Sequence, residues 1–349
     1  MKLAKKILKT LVLVVVVLIV GGLSFFTYWN VMYHDGKSEW QKEADIIVKP
    51  IDDVQPKGPL GILAYNIGFA VGPYQESLGV HKELSVLQRN LDAIVQTVNE
   101  THADILLLQE VDLHSTRTHE LNQLAYLQDK LHWKYAAQAV DWSKYVPSKG
   151  LGKIHKCVAI LSKYPIVKHE VKRFTFKPRL VNRIVNFFYH PFLWQSPTQY
   201  VQIAYNNTQL HIFNVHFSVF GPENRLLQLQ DLVSWITTLQ SKDNVIIGGD
   251  FNFHAKIVRW KYEAKGGETE TPVLFQPVWH SLPNMQEVFL DANSTSEQIH
   301  QQITYPELKK RYDFIFFSDN FEPGEGKIID SISSSDHLPV FVQLSLPQK

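Results

Sequence analysis

The chain reads as a layered α/β domain behind one N-terminal membrane-crossing helix, and three observations predict this. From Leu60 onward, apolar runs of strand length alternate with segments of helical spacing. Several of those runs are rich in Ile, Val and Leu on both faces, as strands buried between two layers are. At the ends of four of them stand polar signatures: Asn66 in Leu63-Ala-Tyr-Asn66, Glu110 in Leu106-Leu-Leu-Gln-Glu110, Asp250-Phe251-Asn252, and Ser335-Asp336-His337. With His216 and Asp313 similarly placed, these suggest one polar site where strands emerge from a core.

The N-terminus comes first. Lys2, Lys5, Lys6 and Lys9 precede an uncharged stretch from Thr10 to Tyr33 whose centre, Leu11 to Val20, is almost wholly aliphatic. Roughly 20 apolar residues span the hydrocarbon layer of a bilayer, so the stretch is long enough. Tyr28, Trp29 and Tyr33 suit an interfacial aromatic belt, and the lysines favour a cytoplasmic start. The expectation is a cytoplasmic segment over 1–9 and a transmembrane signal-anchor over 10–33, which places the rest in the periplasm, the extracellular space or a lumen. A cleaved signal peptide is the alternative, with Gly21 and Gly22 as its small residues. Either reading exports the domain. Residues 34–58, with Pro50, Pro56 and Gly58, read as a stalk, and the catalytic domain is expected over 59–349.

Within that domain, strands are expected at 60–66, 104–109, 157–162, 199–205, 209–216, 244–249, 312–317 and 338–345. Leu84, Leu87, Leu91, Ile94, Val95 and Val98 follow helical spacing, as do Leu226, Leu229, Val233, Ile236 and Leu239. The connection 171–198 differs, being basic and aromatic with no acidic residue beyond Glu170. Its Phe187, Phe188 and Trp194 suit a satellite core, an anionic membrane surface or a stacked phosphate backbone.

Composition narrows the class. The single cysteine, Cys157, excludes an intrachain disulfide framework and a cysteine-rich zinc site, and reads as a buried apolar residue. Of 35 basic residues four precede the apolar stretch, so the remaining 31 face 34 acidic ones. The body therefore lacks the broad basic footprint of a dedicated nucleic-acid binder. Nothing calls for an obligate protein partner.

The chemistry lies in the polar set. Asn66 and Glu110 offer an amide oxygen and a carboxylate, hard donors of the kind Mg²⁺ takes sparsely, alongside water and substrate phosphate. Residues two apart in an extended segment face one side, which aims Asp250 and Asn252 together, with Phe251 behind. Gly248 and Gly249 before them imply a close backbone approach. A neutral His337 can accept a proton from attacking water if Asp313 holds its other nitrogen. His216 can donate to phosphoryl oxygens as charge builds on them.

Tyr65-Asn66, Gln109-Glu110-Val111-Asp112, Asn214-Val-His216, Gly249-Asp250-Phe251-Asn252, Tyr312-Asp313-Phe314-Ile315 and Ser335-Asp336-His337 occur in the order found in the endonuclease/exonuclease/phosphatase superfamily, which the chain resembles over about residues 60–346. The resemblance implies a four-layer α/β sandwich, two packed mixed sheets flanked by helices. It implies a hydrolase of phosphoric esters using Mg²⁺ or Mn²⁺, with Asn66 and Glu110 on the metal and Asp336 beside it. Asp250, Asn252 and His216 would contact the water or phosphate, and Asp313 would orient His337. Family precedent assigns the base to either the Asp250 or the His337 position. Cys157 stands where glycine is common in the family, and Arg117 reads either as a phosphate-facing arginine or as an exposed loop residue.

The function expected is therefore a membrane-anchored phosphodiesterase. Its substrate would be a phospholipid or sphingolipid headgroup or a nucleic acid, the latter making it a tethered or secreted nuclease. A non-catalytic module that kept only the fold would show erosion of the polar set, and the set is complete.

Overall fold

The computed structural model describes residues 2–33, 46–73, 82–146, 150–174, 196–219, 222–252, 284–289 and 301–346. Helix α1 (Lys2–Tyr33) comes first, and its portion Leu3–Tyr28 is long and apolar enough to cross a membrane. Its aliphatic side chains are exposed, Leu18 by 69%, a state that water would penalise and hydrocarbon would not.

Strands β1 (Ile46–Val48), β2 (Leu60–Asn66), β3 (Ile105–Asp112), β4 (Tyr135–Val146), β5 (Gly152–Ser162), β12 (Glu322–Ile328) and β13 (Val340–Ser345) make one mixed sheet, ordered β1-β4-β5-β3-β2-β13-β12. The second contains β6 (Ile166–Arg173), β7 (Pro197–Tyr205), β8 (Thr208–His216), β9 (Val245–Asp250), β10 (Met285–Glu287) and β11 (Asp313–Ser318), ordered β10-β11-β9-β8-β7-β6. Helices α2 (Leu84–Thr101) and α3 (Gln123–Leu131) cover the first sheet, and α4 (Pro222–Thr237) the second.

Strand alternation builds the layers. Ile62, Ala64, Ile105 and Leu107 point inward and meet Ile212, Ile246 and Ile315 of the other sheet. Their neighbours Leu63, Tyr65, Leu106 and Leu108 point outward onto Leu91, Ile94, Val98 and Leu127 of the helices. Phe213, Val215, Ile247 and Phe316 do the same against Leu229, Val233 and Ile236 of α4. Helix, sheet, sheet, helix is the expected four-layer sandwich.

All eight expected strands form. The sequence reading missed β4, whose alanines and polar residues give no apolar run, and β6, whose solvent face carries Val167 and Lys168. It also missed α3, nine residues long but capped by Asn122, whose side chain accepts from the Ala125 amide at 2.9 Å. One boundary is corrected. Residues 46–48, placed in the stalk from sequence, are an edge strand on β4, with Ile46 opposite Ala137. An ion pair from Lys49 to Asp129 and a 2.9 Å bond from its amide to the Lys134 carbonyl fasten the next residue. Three residues are too few to show a period, so composition had dominated. Phe187, Phe188 and Trp194 lie outside the described residues, while Phe174 at the start of that connection is buried against Trp235.

Candidate active site

Topology gathers the polar endings at one pole. β2 runs parallel to β3, and β8 parallel to β9, so Asn66, Glu110, His216 and Asp250 all stand at C-terminal strand ends. β13 and β11 run antiparallel to β2 and β9, which brings their N-terminal ends to the same pole. These carry Ser335-Asp336-His337, just before β13, and Asp313, opposite Asp250 in register. Asn66, Asp250, Asp313 and His216 share the parity of inward residues and therefore meet in the cleft between the sheets.

Asp250 is the hub. One of its oxygens, Oδ2, accepts from Asn66 Nδ2 at 3.0 Å and Asn252 Nδ2 at 3.2 Å. The Nε2 atoms of His216 and His337 each lie 3.8 Å from that oxygen. Phe251 packs away from the cleft against Phe217 and Phe314. Asn252 joins Asp250 by a different route from the expected extended segment. The strand stops at Asp250, Asn252 takes φ 51°, and its amide donates to Asp250 Oδ1 at 2.7 Å, an Asx-type turn. The close backbone approach expected of the two glycines is present. A Cβ on Gly249, which has φ +133°, would lie 2.1 Å from the Val215 carbonyl oxygen, and one on Gly248 2.6 Å from Leu107 Cδ1.

Glu110 reaches the cleft through a bulge. On strict alternation it would face the helices with Leu106 and Leu108. Between Leu108 and Val111, β3 has two residues where β5 has one, and Glu110 takes φ 53°. The kink sends Glu110 Oε1 to 3.8 Å from His216 Nε2. Its neighbour Gln109 points between the sheets and donates to Asn214 Oδ1 at 2.6 Å. Asn214 in turn donates to the Leu108 and Ala159 carbonyls, so a buried amide staple fixes the sheet carrying Glu110 against the sheet carrying His216.

The two imidazoles shift in opposite directions. His337 Nδ1 is 2.8 Å from Asp313 Oδ2. Burial works against the charged ring, but Asp313, Asp250 and Asp336 together outweigh it and push its pKa up to about 10. His216 is pushed down, first by burial, and Lys156 adds to this while Glu110 and Asp141 oppose it. Asp250 is raised to about 7, by burial and by the Asp313 charge, against the pull of His337. Against the neutral His337 expected from sequence, its three acidic neighbours favour the protonated ring in the metal-free cleft. Asp336 accepts from Ser335 Oγ at 3.1 Å and adds to the field on His337 and on buried Tyr65.

Arg117 is 4% exposed, so the exposed-loop reading does not describe it. Nε and Nη2 donate to the two oxygens of Asp112 at 2.8 Å each, and the guanidinium lies 3.4 Å from the centre of the Phe69 ring. The fork expected to face phosphate or solvent faces a carboxylate. Asp141 was not legible as a site residue. It lies on β4 with Oδ2 3.9 Å from His216 Nδ1 and 2.8 Å from Lys156 Nζ. Nothing in Asp141-Trp-Ser distinguishes it from a solvated strand residue until the sheet order places it behind His216.

The donor set fits a hard divalent cation. Glu110 and the Asn66 amide oxygen face the same cleft as Asp250 and Asp313. Asn66 Oδ1 accepts from the Gly68 amide and keeps a second lone pair. Asp313 Oδ1 is buried with no hydrogen-bond partner among the described residues. Asp250, Asp313 and His337 present ligand atoms within 4.8 Å of one another. Burial first, and the Asp313 charge after it, raise the Asp250 carboxyl to about 7, and a cation in the cleft would favour its ionised form.

Sequence and structure comparisons bear on the family and the fold. Residues 63–337 match the sequence model described as Endonuclease/Exonuclease/phosphatase family. No curated protein is significantly similar to the chain in sequence. Among solved structures, an endonuclease/exonuclease/phosphatase from Beutenbergia cavernae superposes with a TM-score of 0.57 at 16% identity, covering 83% of this chain and 72% of that one. A family protein from Leptotrichia buccalis gives 0.54 at 17% identity, covering 82% of this chain and all of that one. D. rerio TDP2 complexed with single-strand DNA product gives 0.50 at 14% identity, with 83% and 100% coverage. At these identities the likeness is one of fold.

Proposed function

Because the chain belongs to the endonuclease/exonuclease/phosphatase family, we propose that it hydrolyses phosphoric diesters by direct attack of water on phosphorus, held at a membrane by α1. The observation that carries the reading is the convergence of Asn66, Glu110, His216, Asp250, Asn252, Asp313 and His337 on one cleft, with Asp250 Oδ2 in reach of both imidazoles.

Asp250 is the proton acceptor in this reading. It lies beside a His337 whose acidic neighbours favour the protonated ring, which leaves the Asp250 carboxylate as the group placed to take a proton. The water oxygen bonds to phosphorus, one of its protons passes to Asp250, and the ester bond to the leaving oxygen breaks, that oxygen taking a proton from solvent while Asp250 returns its own. His337, oriented by Asp313, donates a hydrogen bond to phosphoryl oxygen as charge accumulates there, while Asn252, whose side-chain N–H groups go to Asp250 and to the Phe217 carbonyl, holds the Asp250 carboxylate in place. His216, neutral and held between Glu110 and Asp141, orients the phosphate. Glu110 and Asn66, with Asp336 nearby, would hold Mg²⁺ or Mn²⁺. Bound there, the cation supplies Lewis-acid stabilisation of phosphoryl charge.

The basic start and aliphatic core of α1 favour a retained anchor with Lys2–Lys9 in the cytoplasm and the domain outside it. Tethering favours a substrate at the membrane, a phospholipid or sphingolipid headgroup. Full-length protein in detergent micelles, offered sphingomyelin, glycerophospholipids, plasmid DNA and RNA, with Mg²⁺ and with chelator, tests both the chemistry and the substrate. Release of phosphorylated headgroup only with Mg²⁺ is expected. Cleavage confined to nucleic acid would replace the lipid reading, and inertness toward all four with Mg²⁺ would remove the enzymatic one.

A further inference from the structure

The mechanism above leaves two buried residues of α4 unused. Arg225 is 3% exposed and Gln228 is 1% exposed, one turn apart on the face toward the cleft. Both grip the corner that follows His216. Arg225 Nη1 donates to the Ser218 carbonyl at 3.0 Å and to the Val219 carbonyl at 3.3 Å. Gln228 Oε1 accepts from the Ser218 amide at 2.8 Å. The corner's preceding residue is tied to the site from both of its ends. The Phe217 amide donates to the Asp250 carbonyl at 2.8 Å, and the Phe217 carbonyl accepts from Asn252 Nδ2 at 3.0 Å. Arg225 Nε is buried with no hydrogen-bond partner among the described residues.

We propose that Arg225 and Gln228 are positioning residues for Asn252, acting through the 217–219 corner; this rests on the phosphodiesterase reading above. Asn252 sits at φ 51°, in the left-handed region that asparagine adopts readily, and its amide and side chain fold back onto Asp250. Its own bonds to Asp250 hold one side of the turn, and the Phe217 carbonyl holds the other. That carbonyl is only as well placed as the corner, which turns away from β8 at its last residue, so the two α4 side chains are what fix it. A buried guanidinium is a costly way to satisfy two carbonyls, and its use here is explained if those carbonyls must not move. A displaced Asn252 moves the Asp250 carboxylate it bonds, so the cost falls on turnover rather than on binding, since that carboxylate takes its proton only as water attacks.

The test uses full-length protein in micelles, Mg²⁺, and bis(p-nitrophenyl) phosphate as the probe. Arg225→Gln should lower kcat by roughly 10- to 100-fold with KM changed by less than about 3-fold. Asn252→Ala should lower it comparably, and the double variant should be no worse than Asn252→Ala by more than about 3-fold, because both act through one contact. Unchanged turnover in Arg225→Gln, or losses that multiply in the double variant, overturn the proposal. Gln228→Met repeats the experiment if Arg225→Gln shows no cooperative melt. Should the wild type leave the probe intact, the hydrolase reading is decided by the four substrates above, and hydrogen exchange of the Asn252 side-chain amide decides the positioning role. Faster exchange in either α4 variant supports it, and unchanged exchange overturns it.

Discussion

Replacing Asp313 by Asn removes one charge from the cleft while keeping the shape of the side chain and an oxygen that can still accept from His337 Nδ1. In the unaltered protein that contact is 2.8 Å and both partners are buried. Two unit charges about 4 Å apart interact by about 4 kcal/mol at an effective dielectric near 20. At about 1.4 kcal/mol per pH unit, that is about three pH units of titration midpoint. His337, held up to about 10 in the unaltered protein, should then titrate near ~7 in Asp313→Asn, where burial and the remaining Asp250 charge roughly balance. The sign follows from linkage. A histidine raised in the folded state contributes stability that is whole below its ordinary value near 6.5 and is lost as pH rises through about 10. In the variant that contribution disappears several pH units earlier. The assay is an NMR titration of the His337 ring protons in metal-free protein, with His337→Gln to assign the resonance. A ring that titrates near its ordinary value in the unaltered protein, or one that Asp313→Asn does not move, refutes the electrostatic argument and returns His337 to candidacy as the proton acceptor.

Glu110→Gln keeps the bulge and removes the charge, so Mg²⁺ affinity measured by calorimetry should fall at least about 10-fold and hydrolysis about 100-fold or more. Gly249→Ala drives a Cβ to 2.1 Å from the Val215 carbonyl oxygen, and should destabilise the domain by about 3 kcal/mol in a denaturant melt. Asp112→Ala leaves the buried Arg117 without its carboxylate and should cost about 3–5 kcal/mol of stability by the same melt, whereas loss of turnover in protein that still melts like wild type would give Arg117 a role at phosphate. The pH profile of hydrolysis with Mg²⁺ should rise as Asp250 deprotonates and fall as His337 deprotonates, both midpoints lying below the metal-free values of about 7 and about 10 because a cation favours the deprotonated forms; a profile with no rising limb between about pH 4 and 8 would contradict the assignment of Asp250.

The layers were legible because they obey two periods. Ile62 and Ala64 inward with Leu63 and Tyr65 outward is a pattern any reader of the chain can extract, and it places Asn66 on the inner face by counting. Asp313 and His216 follow by the same count. Glu110 does not, because the bulge that turns it is a property of pairing with β5 and leaves no mark in Leu-Leu-Leu-Gln-Glu. Asn252 was placed correctly for an incorrect reason, since a left-handed turn and not a continuing strand brings it to Asp250. Asp141, Arg225 and Gln228 are separated from their partners by sheet order and helix packing, and no local spacing announces such contacts. Protonation was the least legible quantity. That His337 carries a proton depends on three carboxylates arriving from β9, β11 and the 335–337 turn, a sum available only from coordinates. Arg117 shows the converse: nothing in Ser-Thr-Arg announces that folding pairs its Nε and Nη2 with Asp112.

The central claim is that side chains from separate strand ends act together to deliver water to phosphorus. Hydrolysis of bis(p-nitrophenyl) phosphate in ¹⁸O-labelled water, read by ³¹P NMR, tests it most directly. The account predicts Mg²⁺-dependent incorporation of one labelled oxygen into the phosphorus product, abolished in Asp250→Asn. Product formed without label, or label incorporated at the wild-type rate by Asp250→Asn, would contradict it.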